Sequence, residues 1–190
     1  MKSNYLEKIF FLKDKTAVVI GAGGYLCSEM AKALVYSGCS VALLDLRLEK
    51  VQKVESDLKE EGYKNLLSQK IDVQKKDDHI NALHKTISKF KKIDILINGA
   101  GINSPSSFFD ISIEEWNSVL GSQLTGTLLG CQIFGKHMLD NNKGSIINIS
   151  SASAGPPLSK AFAYSSAKAG IKNLTQNLGR EWGELGVRVN

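Results

Sequence analysis

The sequence predicts one α/β domain built on a doubly wound parallel sheet, and three observations carry that prediction. Short apolar runs alternate with segments of helical period along the 190 residues, the pattern of strand–helix–strand units. No Pro/Ser-rich linker, repeat or low-complexity tract interrupts the alternation, so a single domain over 1–190 is expected. The first apolar run leads at once into a glycine-rich turn and a helix. Right-handed crossovers then place helices on both faces of the sheet.

Each element follows from its local pattern. Ala17-Val-Val-Ile20 makes the strand at 16–20, and Leu26, Met30, Ala33 and Leu34 line one side of a helix at 24–37. Val41-Ala-Leu-Leu44 makes the strand at 40–45, ending in Asp45. Interleaved lysines and carboxylates from Glu49 to Lys59 mark a solvated helix at 47–62. A strand at 67–72 and a helix at 76–91 follow, with His79 and His84 expected on the solvated face of that helix. A strand at 93–98 precedes one long helix at 112–140. Asn141-Asn-Lys-Gly144 is turn material, and Ser145-Ile-Ile-Asn-Ile-Ser150 lies in a buried strand at 144–150. Gly155-Pro-Pro157 turns the chain into a helix at 163–184, and a last strand starts at 187.

Ser151, Tyr164 and Lys168 carry the chemistry. Tyr164 and Lys168 stand four residues apart, hence on one helix face. An ammonium beside a phenol favours the phenolate, which lets a tyrosine exchange a proton with a substrate oxygen near neutral pH. Ser151 follows a buried strand, so its hydroxyl is expected at the carboxyl edge of the sheet, where open α/β sheets bind ligands. A bare Tyr-x-x-x-Lys arises by chance on many helices; its weight comes from the nucleotide features beside it.

Those features begin at Gly21-Ala-Gly-Gly24, between the first strand and the first helix. Strand, glycine turn and helix place backbone N–H groups where a pyrophosphate binds. At the end of the second strand, Asp45 can accept hydrogen bonds from ribose hydroxyls and would repel a 2′-phosphate. Arg47, two residues on, partly offsets that repulsion. NAD is therefore expected over NADP.

With these residues placed, the chain resembles the short-chain dehydrogenase/reductase family over essentially its whole length. Ile20-Gly-Ala-Gly-Gly-Tyr-Leu-Cys27 stands at the family's TGxxxGxG turn, so Gly21, Gly23, Tyr25 and Leu26 are candidate cofactor contacts. Asp72-Val73 matches the adenine-contacting pair. Asn98-Gly-Ala-Gly101 matches the NNAG motif, which nominates Asn98, Ala100 and Gly101. Ser151, Tyr164 and Lys168 match the catalytic serine, tyrosine and lysine. The resemblance implies a Rossmann-type sheet and a nicotinamide-dependent oxidoreductase acting on an alcohol or carbonyl. It also implies that Tyr164 is the general acid/base and that Lys168 binds the ribose as well. The turn, Gly126-Thr-Leu-Leu and Gln132-Ile-Phe-Gly135 are most similar to a subgroup of mannonate or fructuronate oxidoreductases.

The chain departs from the family at three places. Tyr25 and Cys27 replace two turn glycines; both fall in the first helical turn, where αR dihedrals suffice and no positive φ is needed. Gln123 replaces the family's fourth catalytic residue, an asparagine that helps hold a relay water. Gln123 is thus either a relay residue or a buried amide that caps a backbone group. Finally, the sequence stops at Val187-Arg-Val-Asn190, within the expected sixth strand. Relatives continue through a nicotinamide-contacting turn, a substrate lid and a final strand, so the C-terminal part of the fold is expected to be missing.

Composition bounds the partners. A chain of 190 residues with 43% hydrophobic and 23% charged residues is an ordinary globule, able to bury roughly 70% of its unfolded surface. Cys27, Cys39 and Cys131 are odd in number and lack C-x-x-C spacing, as suits a reducing cytosol. The three histidines have no ligand-spaced partners, so no metal is expected. The net charge of +5 is spread over mixed-charge helices rather than gathered in a stripe, which argues against nucleic acid. No apolar run spans a membrane. Met1–Leu12 is interrupted by Glu7 and Lys8 and lacks a cleavage site, so it does not read as a signal peptide. A cytoplasmic enzyme is expected. Leu120, Leu124, Leu128, Phe134, Ile171 and Leu174 exceed what one sheet face needs, and the resemblance implies a homodimer or homotetramer formed through those helices; a core role explains them nearly as well. The substrate expected is a polyol, sugar or sugar acid. A 3-oxoacyl or other lipid-like ketone is the alternative within the enzyme class, and a non-catalytic nucleotide-binding subunit the alternative outside it.

Overall fold

The computed structural model describes residues 10, 12–156 and 158–190. The segment read as no signal peptide lies almost wholly outside them, as does Pro157 of the expected turn. Six parallel strands form one sheet: β1 (Thr16–Ile20), β2 (Ser40–Asp45), β3 (Leu66–Lys70), β4 (Ile95–Asn98), β5 (Gly144–Asn148) and β6 (Val187–Val189), in the order β3-β2-β1-β4-β5-β6. The helices are α1 (Tyr25–Tyr36), α2 (Leu48–Glu60), α3 (Lys76–Phe90), α4 (Ile113–Leu120), α5 (Gly126–Asp140) and α6 (Phe162–Trp182).

Alternation along the central strands builds two cores. Ala17, Val19, Val41, Leu43 and Ile97 pack with Cys27, Ala31 and Val35 of α1 and Val51 and Leu58 of α2. Val18, Ile20, Ala42, Leu44, Leu96 and Ile146 face the other way, onto Ala82 of α3 and Cys131, Phe134 and Met138 of α5. Both faces of β1 are covered, which is why its five residues are all buried and apolar but for Thr16. The fully buried Phe134 alone contributes about 1.5–3 kcal/mol of transfer free energy.

The pairing register levels the carboxyl ends of the strands. Ile20 lies opposite Leu44 and Asn98, and Asn98 opposite Asn148. Gly21, Asp45, the residues after Asn98 and the residues after Asn148 therefore meet along one edge. Gly21 itself must be glycine: its φ is 89°, and a Cβ would stand 2.8 Å from the Ala100 backbone nitrogen.

Four expectations are corrected. The third strand ends at Lys70 rather than 72, because the Asp72 amide turns away to the Asp78 carboxylate at 2.8 Å. The fifth ends at Asn148 rather than 150: the Ile149 amide still donates to Asn98 O, but the Ile149 carbonyl accepts from Lys168 Nζ and Ser150 Oγ donates to the Lys168 carbonyl, both on α6. The long helix at 112–140 is broken into α4 and α5 by a π-turn, Gly121–Thr125. His79 is fully buried, not solvated; its Nε2–H donates to the Val73 carbonyl at 2.9 Å and its ring packs edge-on to Phe134. Periodicity assigned it to the outer face, but α3 turns that ring under the loop that follows β3. For Phe134 and Ile171 the core alternative holds, while Leu128 stays 38% exposed. Among the described residues no helix is long and apolar enough to cross a membrane.

Candidate active site

A cleft of about 420 Å³ opens along the carboxyl edge of the sheet, between the β1, β2, β3 and β4 ends. Of the residues nominated from sequence, Gly21, Asp45, Asp72, Val73, Ala100 and Gly101 line it. Gly24, Arg47, Gln74, Ile102 and Ser122 line it as well and were not nominated as contacts. Gly24 belongs to the quoted glycine turn and Arg47 was read as offsetting Asp45; for Gln74, Ile102 and Ser122 the only sequence signal was adjacency to a motif.

The glycine turn is organised around Asp45. One carboxylate oxygen accepts from the Gly23 amide at 3.1 Å and the other from the Arg47 amide at 2.9 Å, with the Arg47 guanidinium at 3.6 Å. A Cβ on Gly23 would reach 2.9 Å from that carboxylate, so Gly23 supports Asp45 rather than lining the cleft. Tyr25 and Leu26 are exposed in the first turn of α1. Neither Tyr25 nor Cys27 takes a positive φ, as their helical positions required. Gly24 caps α1 without a side-chain hydrogen bond and no acidic residue occupies the first turn, which leaves the N-terminal amides available to an anion. A dinucleotide fits here: an uncapped helix N-terminus for phosphate, a fixed carboxylate for ribose and an elongated cleft between.

Asn98 turns away from the cleft. Its amide donates to Asn148 Oδ1 at 2.9 Å, and Asn148 donates to Thr175 Oγ1 at 3.0 Å, linking β4, β5 and α6 through a buried polar chain.

Tyr164 and Lys168 stand on α6, which packs on the end of β5, and Ser151 follows that end. Lys168, 5% exposed, donates from Nζ to the Ile149 carbonyl at 2.6 Å, and Ser150 Oγ donates to the Lys168 carbonyl at 3.2 Å. These bonds fix the helix against the end of the strand. The same ammonium lies 5.5 Å from the centre of the Tyr164 ring. Burial pushes the Lys168 pKa below the ordinary lysine value, and the Cys27 sulfur nearby acts in the opposite direction. Burial in turn raises the Cys27 thiol, so that residue is packing rather than a nucleophile. Ser151 starts a short 3₁₀ turn (Ala152–Ala154), its Oγ accepting from the Ser153 amide at 3.2 Å and lying 3.1 Å from the Ser153 hydroxyl. Gln123 sits in the π-turn, 1% exposed, with Nε2 donating to the Ile102 carbonyl at 2.5 Å and Oε1 without a partner among the described residues.

A family model described as short chain dehydrogenase matches residues 15–190. The chain belongs to the short-chain dehydrogenases. An uncharacterized oxidoreductase of Haemophilus influenzae is 37% identical over 94% of this chain and 68% of that protein. An NAD-dependent glycerol dehydrogenase of Listeria innocua is 32% identical, over 97% of this chain and 71% of its own length. Among solved structures, the crystal structure of gox2181 superposes with a TM-score of 0.92 at 29% identity, covering 98% of this chain and 73% of that one. As a short-chain dehydrogenase, the protein is an oxidoreductase that uses NAD(P) and acts on small molecules, and a Rossmann-type sheet is the fold its neighbours share.

Proposed function

We propose that this short-chain dehydrogenase interconverts an alcohol and a ketone on a polyol, sugar or sugar acid, with NAD as its preferred cofactor. The observation that carries the reading is the placement of Lys168: buried, tied to the Ile149 carbonyl two residues before Ser151, and beside the Tyr164 ring. When bound, the nicotinamide supplies the two-electron donor or acceptor. Gly21, Gly24 and the α1 amides would hold its pyrophosphate, Asp45 the adenosine ribose, and Asp72 and Val73 the adenine side. Tyr164 moves the proton at its phenol oxygen, the Lys168 ammonium binds ribose hydroxyls, and the Ser151 hydroxyl donates to the reacting oxygen. Gln123 spends its amide nitrogen on a loop carbonyl, which supports the capping reading over the relay reading. The similarity to a glycerol dehydrogenase named as NAD-dependent favours both the polyol class and the cofactor. The apolar surplus of α4 to α6, with Leu128 in view, supports a homo-oligomer.

A specific feature favours the lipid-like ketone as the second reading. Phe108 meets Phe162 edge to face with ring centres 5.2 Å apart, and Phe109 meets Phe108 likewise at 5.5 Å. All three are exposed, and Phe162 lies two residues before Tyr164. Assaying NAD⁺ reduction over a panel of polyols and sugar acids, beside NADH oxidation by 3-oxoacyl thioesters, separates the two. Turnover confined to the thioesters would overturn the polyol reading.

A further inference from the structure

The segment between β3 and α3 forms one wall of the cleft through Asp72, Val73 and Gln74. The first turn of α3 holds two of its backbone polar groups. The Asp72 amide donates to Asp78 Oδ2 at 2.8 Å, and the Val73 carbonyl accepts from His79 Nε2 at 2.9 Å. On its other side the segment packs against the break between α4 and α5. A Cβ on Gly121 would fall on the Gln74 amide, and one on Gly126 would reach 2.9 Å from Val73 Cγ2. A carbonyl oxygen only accepts, so the His79 Nε2 carries the proton and Nδ1 is the bare nitrogen of a neutral ring. That Nδ1 is buried and has no partner among the described residues. The ring itself is fully buried, with Phe134 of α5 edge-on to it. A second proton would therefore make a buried N–H with nothing to accept it. Burial keeps the ring neutral near pH 7, outweighing the Val73 carbonyl and the Asp78 and Asp72 carboxylates, which favour its charge. Lys75, 3.5 Å from Asp72 Oδ2, offsets part of that pull.

We propose that His79 is a proton-sensitive positioning residue for the adenine wall of the cleft: the neutral ring holds Val73 where a dinucleotide needs it, and the charged ring releases it. The inference rests on the dinucleotide reading of the cleft. A leucine at this position would fill similar space and leave the Val73 carbonyl without a donor. A glutamine would supply the donor and no titration. The histidine supplies both, so protons and dinucleotide compete although they bind at different atoms. Binding selects the neutral ring; affinity therefore falls as pH falls through the pKa of the folded histidine, and below that value a proton leaves the protein when the dinucleotide binds.

The competition is measurable without turnover. NAD⁺ affinity is measured by calorimetry at pH 7.5 and 5.5 for the wild type, His79→Gln and His79→Leu, with the unfolding midpoint recorded in each condition so that only folded protein is compared. Wild-type affinity is expected to fall roughly three- to tenfold between the two pH values. His79→Gln should bind like the wild type at pH 7.5 and change by less than about twofold on acidification. His79→Leu should bind roughly three- to tenfold more weakly than the wild type at pH 7.5 and lose little more at pH 5.5. In buffers of different ionisation enthalpy, the wild type should release a proton on binding at pH 5.5, and His79→Gln should release none. If His79→Leu does not fold, the comparison of the wild type with His79→Gln decides alone. Equal acid losses in those two proteins, or no loss in the wild type, would overturn the role of His79 and leave the dinucleotide reading standing. No NAD⁺ binding by the wild-type chain at pH 7.5 would overturn that reading and this inference with it.

Discussion

At the scale of single residues, Tyr164, Lys168, Ser151 and Asp45 make separable demands on an experiment. Tyr164→Phe deletes one oxygen and little else, so turnover should vanish while NADH affinity stays near the wild-type value. Lys168→Met should damage both turnover and affinity, and it also strands the Ile149 carbonyl that the ammonium now satisfies. Retained activity in Tyr164→Phe would assign the proton to another group. Ser151→Ala should lower turnover by about 10²–10³, the loss typical of deleting a donor to a developing oxyanion. The proposed preference for NAD rests on Asp45. Its carboxylate is held in place by two backbone amides, so it cannot swing away from a 2′-phosphate. NADH is therefore expected to bind more tightly than NADPH, with Asp45→Ala narrowing the gap in paired titrations; tighter NADPH binding by the wild type would refute the assignment. Asp45 and Ser151 were nominated because each stands at or just past a strand end, and Tyr164 and Lys168 because they lie four residues apart on one helix. Gln74, Ile102 and Ser122 were not: their place in the cleft depends on where loops fold back, which no periodicity reports.

At the scale of elements, the alternating pattern located the six strands of the sheet, and its errors fell where side chains compete with the regular ladder. The π-turn escaped notice because Gly121, Ser122 and Gln123 satisfy an α-helical pattern equally well; the extra residue is set by the contacts to Ile102, Gln74 and Val73. His79 was misplaced for a related reason, since its burial answers to the Val73 carbonyl rather than to the period of α3. That burial has a pH signature. Desolvation lowers the His79 pKa from the ordinary 6.5, outweighing the Val73 carbonyl and the carboxylates of Asp78 and Asp72, which act to raise it. The unfolded chain thus binds more protons than the fold just below pH 6.5. The contribution to stability is fully present above the unfolded value and is lost as pH falls from there through the folded one. Denaturant midpoints at pH 7.5 and 5.5 should show this drop in the wild type and a smaller one in His79→Gln, which keeps a donor for Val73. An equal drop in both would place the titration elsewhere.

At the scale of the whole molecule, binding and stability are assigned to opposite edges of the sheet. The carboxyl edge carries the glycine turn, the cleft and the β5–α6 junction. The amino edge is tied by Asp94, only 8% exposed, just before β4. Its Oδ2 accepts from the Thr16 amide at 3.0 Å, and its backbone bonds to Thr16 O and from the Ser145 amide, so one residue joins the starts of β1, β4 and β5. Lys15, Lys143 and Lys92 surround the carboxylate at 3.3, 3.7 and 4.0 Å. The lysines are substantially exposed, so each pair is weak and screened by salt. The buried amide is the larger stake. Asp94→Ala strands the Thr16 N–H and should destabilise the fold by about 1–3 kcal/mol. Asp94→Asn keeps an acceptor for that amide and loses only the charge, so it should lie between Ala and wild type and approach wild type in 0.5 M salt, on the order of a 4 Å Debye length. Neither change should alter NADH affinity, because the cleft lies at the other end of the strands. A shift in affinity that matched the loss of stability would mean that the two edges are coupled through β1 and β4, and the sheet would then transmit strain rather than separate the two tasks.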